Sequence, residues 1–232
     1  MSSENAPSDV RTRLVDAAIR LLAEHGPSEI KARSVASEAG LSTMGVYSYF
    51  GGVPELLQAV ADEGFSRQSA YFSLAQLSED PMTNLCAMAF ACRDFAQRYP
   101  HLYDLMFGLS IQGRYSLSRS TTEPSSTERS PAFGVSYAYL HGQCVRLVET
   151  QCIRDTNPVL VAAQFWSALH GFIMLELGGH FADVANAGAD ILVPMCVNLV
   201  VGLGANPAQA ESSAARAAVG WSGLAATHRD AR

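Results

Sequence analysis

Between Val10 and Glu24 the apolar residues Leu14, Ala17, Ala18, Leu21 and Leu22 fall on one helical stripe, and His25-Gly26-Pro27 closes the segment. The stretch from Arg33 to Phe50 then sets Ala36, Gly40 and Val46 where a helix-turn-helix needs a small, a flexible and a buried apolar residue. Ala36 permits close helix approach, and Gly40 supplies the positive φ that ends the first helix of the pair. Leu41 plugs the turn and Ser42 stands at the N-cap position, which predicts a helix over Thr43–Phe50 with Val46 and Phe50 inward and Thr43, Met44, Tyr47 and Ser48 largely outward. Pro54 starts a further helix that buries Leu56, Leu57, Val60 and Phe65. Such a pair presents its second helix to the major groove of DNA, although a corner of an ordinary helical bundle carries a similar Gly and cap.

From Leu74 the pattern changes. Asp80-Pro81 opens a helix carrying Leu85, Met88, Ala89, Cys92, Phe95 and Ala96 at helical spacing, and Tyr99-Pro100 breaks it. His101–Phe107 fits a short helix, whereas Gly113 to Pro131, rich in Ser, Thr, Arg and Glu, reads as a mobile loop. Tyr137, His141, Cys144, Val148 and Cys152 form the next stripe, and Asn157-Pro158 caps a helix running to Gly178-Gly179. The last long helix covers about 187–203, with Pro194 kinking it or marking its true start. Residues 205–232, rich in Ala and Ser, read as a flexible tail, a short helix near 208–219 being the alternative. The organisation predicted is an arm over 1–8, a helix-turn-helix domain over 9–53, a larger helical domain over 54–204 and that tail. The runs Val159–Leu175 and Ile191–Leu203 are apolar nearly all round, but Gln164, Ser167 and His170 interrupt the first and Pro194 and Asn198 the second. Neither run reaches the ~20 residues a membrane span needs, so no membrane partner is expected.

At 232 residues and net charge −6 the chain is too acidic to bind nucleic acid by bulk attraction. Locally, Arg11, Arg13, Arg20, Lys31 and Arg33 roughly balance Asp9, Asp16, Glu24, Glu29 and Glu38, which leaves helix N-terminal amides to carry part of any phosphate binding. Five scattered cysteines offer neither a disulfide framework nor a zinc spacing, and read as reduced core residues of a cytoplasmic protein. Cys144 and Cys152, two turns apart, have the spacing of a thiol sensor, with a small buried apolar role as the bland reading. No basic start and apolar run opens the chain, so no signal peptide is expected. Glu176 and His180 share a helical face, but Gly178 and Gly179 lie between them and no third ligand is near in sequence. No metal, no cofactor and no enzymatic activity are expected, since neither a nucleophile triad nor a phosphate loop is present.

The stretch Ala36 to Phe50, with the Pro-Glu-Leu turn and helix after it, resembles the N-terminal signature of the TetR family of one-component transcriptional regulators. The resemblance implies an all-α fold in which a three-helix DNA-binding domain joins a larger ligand-binding and dimerisation domain. By the same resemblance Thr43, Met44, Gly45, Ser48 and Tyr49 face the bases or the groove, Tyr47 contacts phosphate, and Arg33 contacts base or phosphate. Lys31 and Ser42 complete the expected DNA-binding set. Two positions depart from the family: Val53 stands where a Lys is usual, and Lys31 where a Ser or Thr is usual. The first removes a phosphate contact, about one unit of salt slope, which Lys31 is able to replace. Trp166-Ser-Ala-Leu-His-Gly171 resembles the WHG variant of the C-terminal domain. The implied protein is a homodimeric repressor, the two apolar runs forming a four-helix interface, released from a double-stranded DNA operator by a small and mainly apolar effector. Met88, Phe95, Tyr103, Phe107, Tyr137, His141, Trp166 and His170 are the expected ligand-binding residues, Tyr and His supplying the few polar contacts. The alternative from another class is a dimeric small-molecule-binding module that has lost DNA binding, consistent with the missing Lys and the near-neutral head.

Overall fold

A computed structural model describes residues 7–107 and 130–230. Its long elements are α1 (Pro7–His25), α2 (Ala32–Glu38), α3 (Thr43–Phe50), α4 (Val53–Leu74), α5 (Pro81–Arg98), α6 (Pro100–Phe107), α7 (Pro131–Glu149), α8 (Pro158–Leu177), α9 (Val193–Gly202) and α10 (Pro207–Asp230). A 3-10 turn covers Pro27–Glu29 and a π-helical turn Gly188–Leu192; the described residues contain no strand, so the fold is all-α as expected. The expected loop at 113–131 and the arm at 1–8 fall largely outside the described residues.

Two compact units form: Met1–Arg67 with Tyr99–Phe133, and Gln68–Arg98 with Gly134–Arg232. In the first, the α1 stripe of Leu14, Ala17, Ala18 and Leu22 is fully buried, as are Ile30, Val35, Ala36, Val46, Leu56 and Leu57, and α1 packs on α2. The short helix α6 packs on α1 here. It also comes very close to α4: a Cβ at Gly64 would stand 2.6 Å from Met106 Sδ, so only glycine fits without Met106 moving. Phe65 meets Phe107 edge to face at 5.6 Å.

The second unit is built around α5, whose buried face runs from Pro81 to Ala96. Met82, Leu85, Cys144, Leu147, Ile153, Val161, Ala162, Phe165, Val200, Leu203 and Ala210 form one apolar core drawn from five helices. Polar groups inside it are satisfied. Asn84 Oδ1 accepts the backbone N–H groups of Leu77 and Ser78 at 2.9 and 3.0 Å, closing the α4–α5 turn. Gln143 donates to Gln76 Oε1 at 2.7 Å, and the Ser136 hydroxyl to Gln68 Oε1 at 2.8 Å.

Three features differ from the sequence reading. The region read as a flexible tail is the 24-residue helix α10, which lies along α5 with Ala210, Ser213, Ala214, Ala217 and Trp221 buried. Alternating small residues gave it a weak apolar stripe in sequence, and its stability comes from packing and from a polar clasp at Asp80, which caps α5 through Met82 N–H and accepts from Ser213, Thr83 and Arg216. The helix α8 runs from Pro158 to Leu177, ending at Gly178-Gly179 as expected, but it passes a length test that the sequence reading had it fail. At 20 residues it is long and apolar enough to cross a membrane by length and composition, with 28% of its most apolar window buried. A single such helix is weak evidence for a span, since core and interface helices pass the same test. Finally, a π turn interrupts the helix expected over about 187–203, and Pro194, in the first turn of α9, marks that helix's true start, one of the two outcomes expected for it. Having no N–H to donate, it opens the ladder, and Val193 N–H reaches back five residues to Gly188 to make the π turn before α9.

Candidate functional site

The turn between α2 and α3 is closed by two backbone bonds and one side chain from α1. Leu41 N–H donates to the Ala36 carbonyl at 2.8 Å and Gly40 N–H to Ser37 at 3.1 Å, the paired bonds of a Schellman ending, with Gly40 at φ +66°. Arg13 on α1 donates to the Ala39 carbonyl at 2.8 Å and takes up one more exposed helix end. Ser42 occupies the N-cap position in extended conformation, but its hydroxyl makes no capping bond. The N-cap position is the one expected from the sequence. Gly51 at φ +82° ends α3, and the Arg11 guanidinium covers the Phe50 ring at 4.9 Å.

This locks α3 with one face in and one face out. Val46 is completely buried and Phe50 nearly so, while Met44 and Tyr47 are 72% and 53% exposed. Thr43, Ser48 and Tyr49 are exposed beside them, and Gly45 is half-buried with open space where a Cβ would stand. Arg33 projects from α2, also exposed; Lys31 pairs with Glu29 at 3.2 Å in solvent, a contact too weak to hold it back from a phosphate. The expected DNA-facing residues therefore lie on or beside the helix-turn-helix, with α3 offering two exposed aromatic side chains and two hydroxyls.

The expected ligand residues divide between the units. In the second, Tyr137 and His141 on α7 stack at 6.2 Å, Tyr137 meets Trp166 on α8 at 5.1 Å, and Trp166 meets His170 at 5.3 Å, so four of the eight form one run of rings. Burial pushes the His170 imidazole down to about 4, which keeps it neutral at physiological pH. Met88 and Phe95 are buried on α5, Phe95 edge-on to Tyr71 at 5.5 Å. Tyr103 and Phe107 belong to the first unit, where their rings lie 4.8 Å apart. Burial pushes Cys144 up to about 12, so it stays a thiol and lacks the thiolate a sensor uses. Glu176 is held by Arg93 at 2.8 Å, and among the described residues no group of three or more His, Cys, Asp or Glu is placed to hold a metal ion.

Residues 14–60 match the family model described as bacterial regulatory proteins of the tetR family, and residues 85–196 the one described as the tetracyclin repressor-like C-terminal domain. The chain belongs to the TetR family. An HTH-type transcriptional regulator of Mycobacterium tuberculosis is 21% identical over 193 residues, 83% of this chain and 81% of that one. A protein of unknown function from Rhodococcus sp. RHA1 superposes with TM-score 0.70 at 21% identity, covering 87% of this chain and 97% of that one. RolR in complex with resorcinol gives 0.60 at 19% identity (90% and 95% covered), and FadR from Bacillus subtilis in complex with stearoyl-CoA 0.62 at 14% (82% and 98% covered). As a TetR-family transcriptional regulator the chain carries a DNA-binding head and a ligand-binding domain, in a family whose members are typically homodimers.

The residues sequence reasoning missed lie where α10 packs on α5: Trp221 on α10, whose indole N–H donates to Asp94 on α5 at 2.7 Å, and Arg93 in the same wall. Trp221 was the available signal, a large aromatic in a segment otherwise too small-sided to fold alone.

Proposed function

We propose that this chain is a cytoplasmic, homodimeric repressor that leaves its operator when a small, mainly apolar molecule enters the second unit. The observation that carries the reading is the two-faced α3, which buries Val46 and Phe50 and exposes Thr43, Met44, Tyr47, Ser48 and Tyr49. Lys31, Arg33, Ser42 and Gly45 flank or complete that face. Regulators of the same fold that hold resorcinol and stearoyl-CoA support a small-molecule trigger, and their difference in size leaves its identity to the pocket. Tyr137, His141, Trp166 and His170, with Met88 and Phe95, are the proposed lining, and the run Trp166 to Gly171 supports reading the C-terminal half as the WHG variant. A ligand that fits one arrangement of the dimer better than the other shifts the population, and ~1–3 kcal/mol of coupling lowers operator affinity about five- to 150-fold.

A second copy is the natural cover for α8, which leaves Val159, Leu160, Met174, Leu175 and Leu177 exposed on the isolated chain. Selection of binding sites from random duplex DNA tests the reading. The expected product is a roughly palindromic site whose affinity falls steeply with salt and is weakened by Tyr47→Ala and by Arg33→Ala in folded protein. Val53 in place of the usual Lys and the pairing of Lys31 with Glu29 favour the other reading, a dimeric binding module without operator. Failure to enrich any sequence at low salt decides for it.

A further inference from the structure

The packing of α10 on α5 leaves a cleft of about 720 Å3 beside the π turn, walled by Tyr71, Phe90, Val193 and Trp221 and reached by Arg93 and Arg98. It is distinct from the run of rings between α7 and α8. Its volume is that of a small-molecule site, and its lining combines aromatic and aliphatic walls with the polar side chains of Arg93, Asp94, Gln97, Arg98, Asn186 and Ser222.

Arg93 is the informative member. Its Nε donates to both carboxylate oxygens of Glu176 at 3.0 and 2.9 Å, and Nη2 donates to Oε1 at 2.8 Å, which fixes the plane of the guanidinium. Nη1 donates to no acceptor among the described residues and stands against Gly188, where a Cβ would come within 3.2 Å of it. Gly188 begins the π turn, so the two irregularities of this wall, a glycine and a widened helical turn, both make room beside that nitrogen. The result is a fixed N–H donor on an aromatic-walled cleft. Charges around it balance. Glu176 neutralises Arg93, and Asp94, which accepts from Trp221, offsets Arg98 one turn along the same helix. A full anion gains little net attraction there, whereas a neutral carbonyl or phenolic oxygen gains a hydrogen bond from Nη1 and its ring system gains contact with Trp221 and Tyr71.

We infer that the cleft between α5, α10 and the π turn binds an uncharged, flat, aromatic molecule bearing a hydrogen-bond acceptor, with Arg93 Nη1 as donor and Trp221 as the stacking wall. Binding at this cleft is independent of whether α3 reads an operator.

Three naphthalenes of equal body test this on the full-length protein: 2-acetonaphthone (neutral acceptor), 2-ethylnaphthalene (no acceptor) and 2-naphthoate (anion), each competing with the fluorescent amine N-phenyl-1-naphthylamine. The expected order is ketone tightest, by about tenfold over the hydrocarbon and by more over the carboxylate. Arg93→Lys keeps the positive charge and removes the fixed donor, so it should erase the preference of ketone over hydrocarbon. Ala189→Phe, at an exposed position of the cleft wall, should weaken the ketone at least tenfold with an unfolding temperature within a few degrees of wild type. Tightest binding of the carboxylate, equal binding of ketone and hydrocarbon, or wild-type affinity in Ala189→Phe would each overturn the assignment.

Discussion

Asp80 Oδ2 accepts the hydroxyl of Ser213 at 2.6 Å across 133 residues of chain, and the same carboxylate caps α5 and receives Arg216. One side chain thus starts one helix and fastens another. Asp80→Ala removes the cap and leaves the fully buried Ser213 hydroxyl and the Arg216 side chain without their acceptor. The expected loss is about 2 kcal/mol, from a cap and an orphaned hydroxyl together. Hydrogen exchange should locate it, with protection falling along residues 207–221 more than along α8. Unchanged protection of α10 would mean that packing alone holds it.

The same carboxyl sets a pH dependence. Burial raises its pKa, but hydrogen bonds from Ser213, Thr83, Arg216 and the Met82 amide outweigh burial and hold it below the usual carboxylate range. Its contribution is therefore complete above the ordinary Asp value and lost as pH falls through the folded one. His170 acts higher on the scale. Its folded value of about 4 lies below the ordinary 6.5, so between these the unfolded chain binds the extra proton and stability falls as the solution is acidified. The loss is at most about 3 kcal/mol. His170→Gln should flatten urea-denaturation stability between pH 6.5 and 4 relative to wild type; equal slopes would mean that His170 titrates normally.

Gly45 separates folding from recognition. A glycine inside a helix costs roughly 0.5–1 kcal/mol relative to Ala, and nothing lies within 4 Å of the missing Cβ. Gly45→Ala should accordingly raise stability by that amount. If the α3 backbone approaches DNA closely, it should also lower operator affinity by about tenfold. A stabilised variant with undiminished affinity would move the DNA contact away from this position.

The exposed side of α8 is the proposed dimer face. Leu175→Glu, at a residue 46% exposed in the isolated chain, should change the fold little and convert a dimer into monomers in light scattering. Because two half-sites must be held at once, the monomer should lose palindrome binding far beyond the loss of a single contact. Dimers that persist with Glu at 175 would put the interface on another face.

The head was legible because its information is local. Gly40, Leu41 and the Val46/Phe50 spacing each dictate a conformation within a few residues, and α3 begins and ends at the expected Thr43 and Phe50. The C-terminal third was not, because α10 depends on partners more than a hundred positions away: Ala, Ser and Gly side chains have almost no periodic signal, and Asp80 reads in sequence only as a helix cap. The run of rings was half legible. Tyr137, His141, Trp166 and His170 fall together since each pair is four residues apart on its own helix, whereas nothing in their spacing reveals that Tyr103 and Phe107 fold with the other unit.

Gly64 makes the first unit a gauge of thickness. With a prospective Cβ 2.6 Å from Met106 Sδ and 3.2 Å from Leu102 Cδ1, the spacing of α4 and α6 is set by an absent methyl group rather than by a contact. Substitutions at 64 and 106 should therefore be tolerated only as compensating pairs: alanine at the first position calls for a shorter side chain at the second, and related sequences that have drifted should record that exchange of volume.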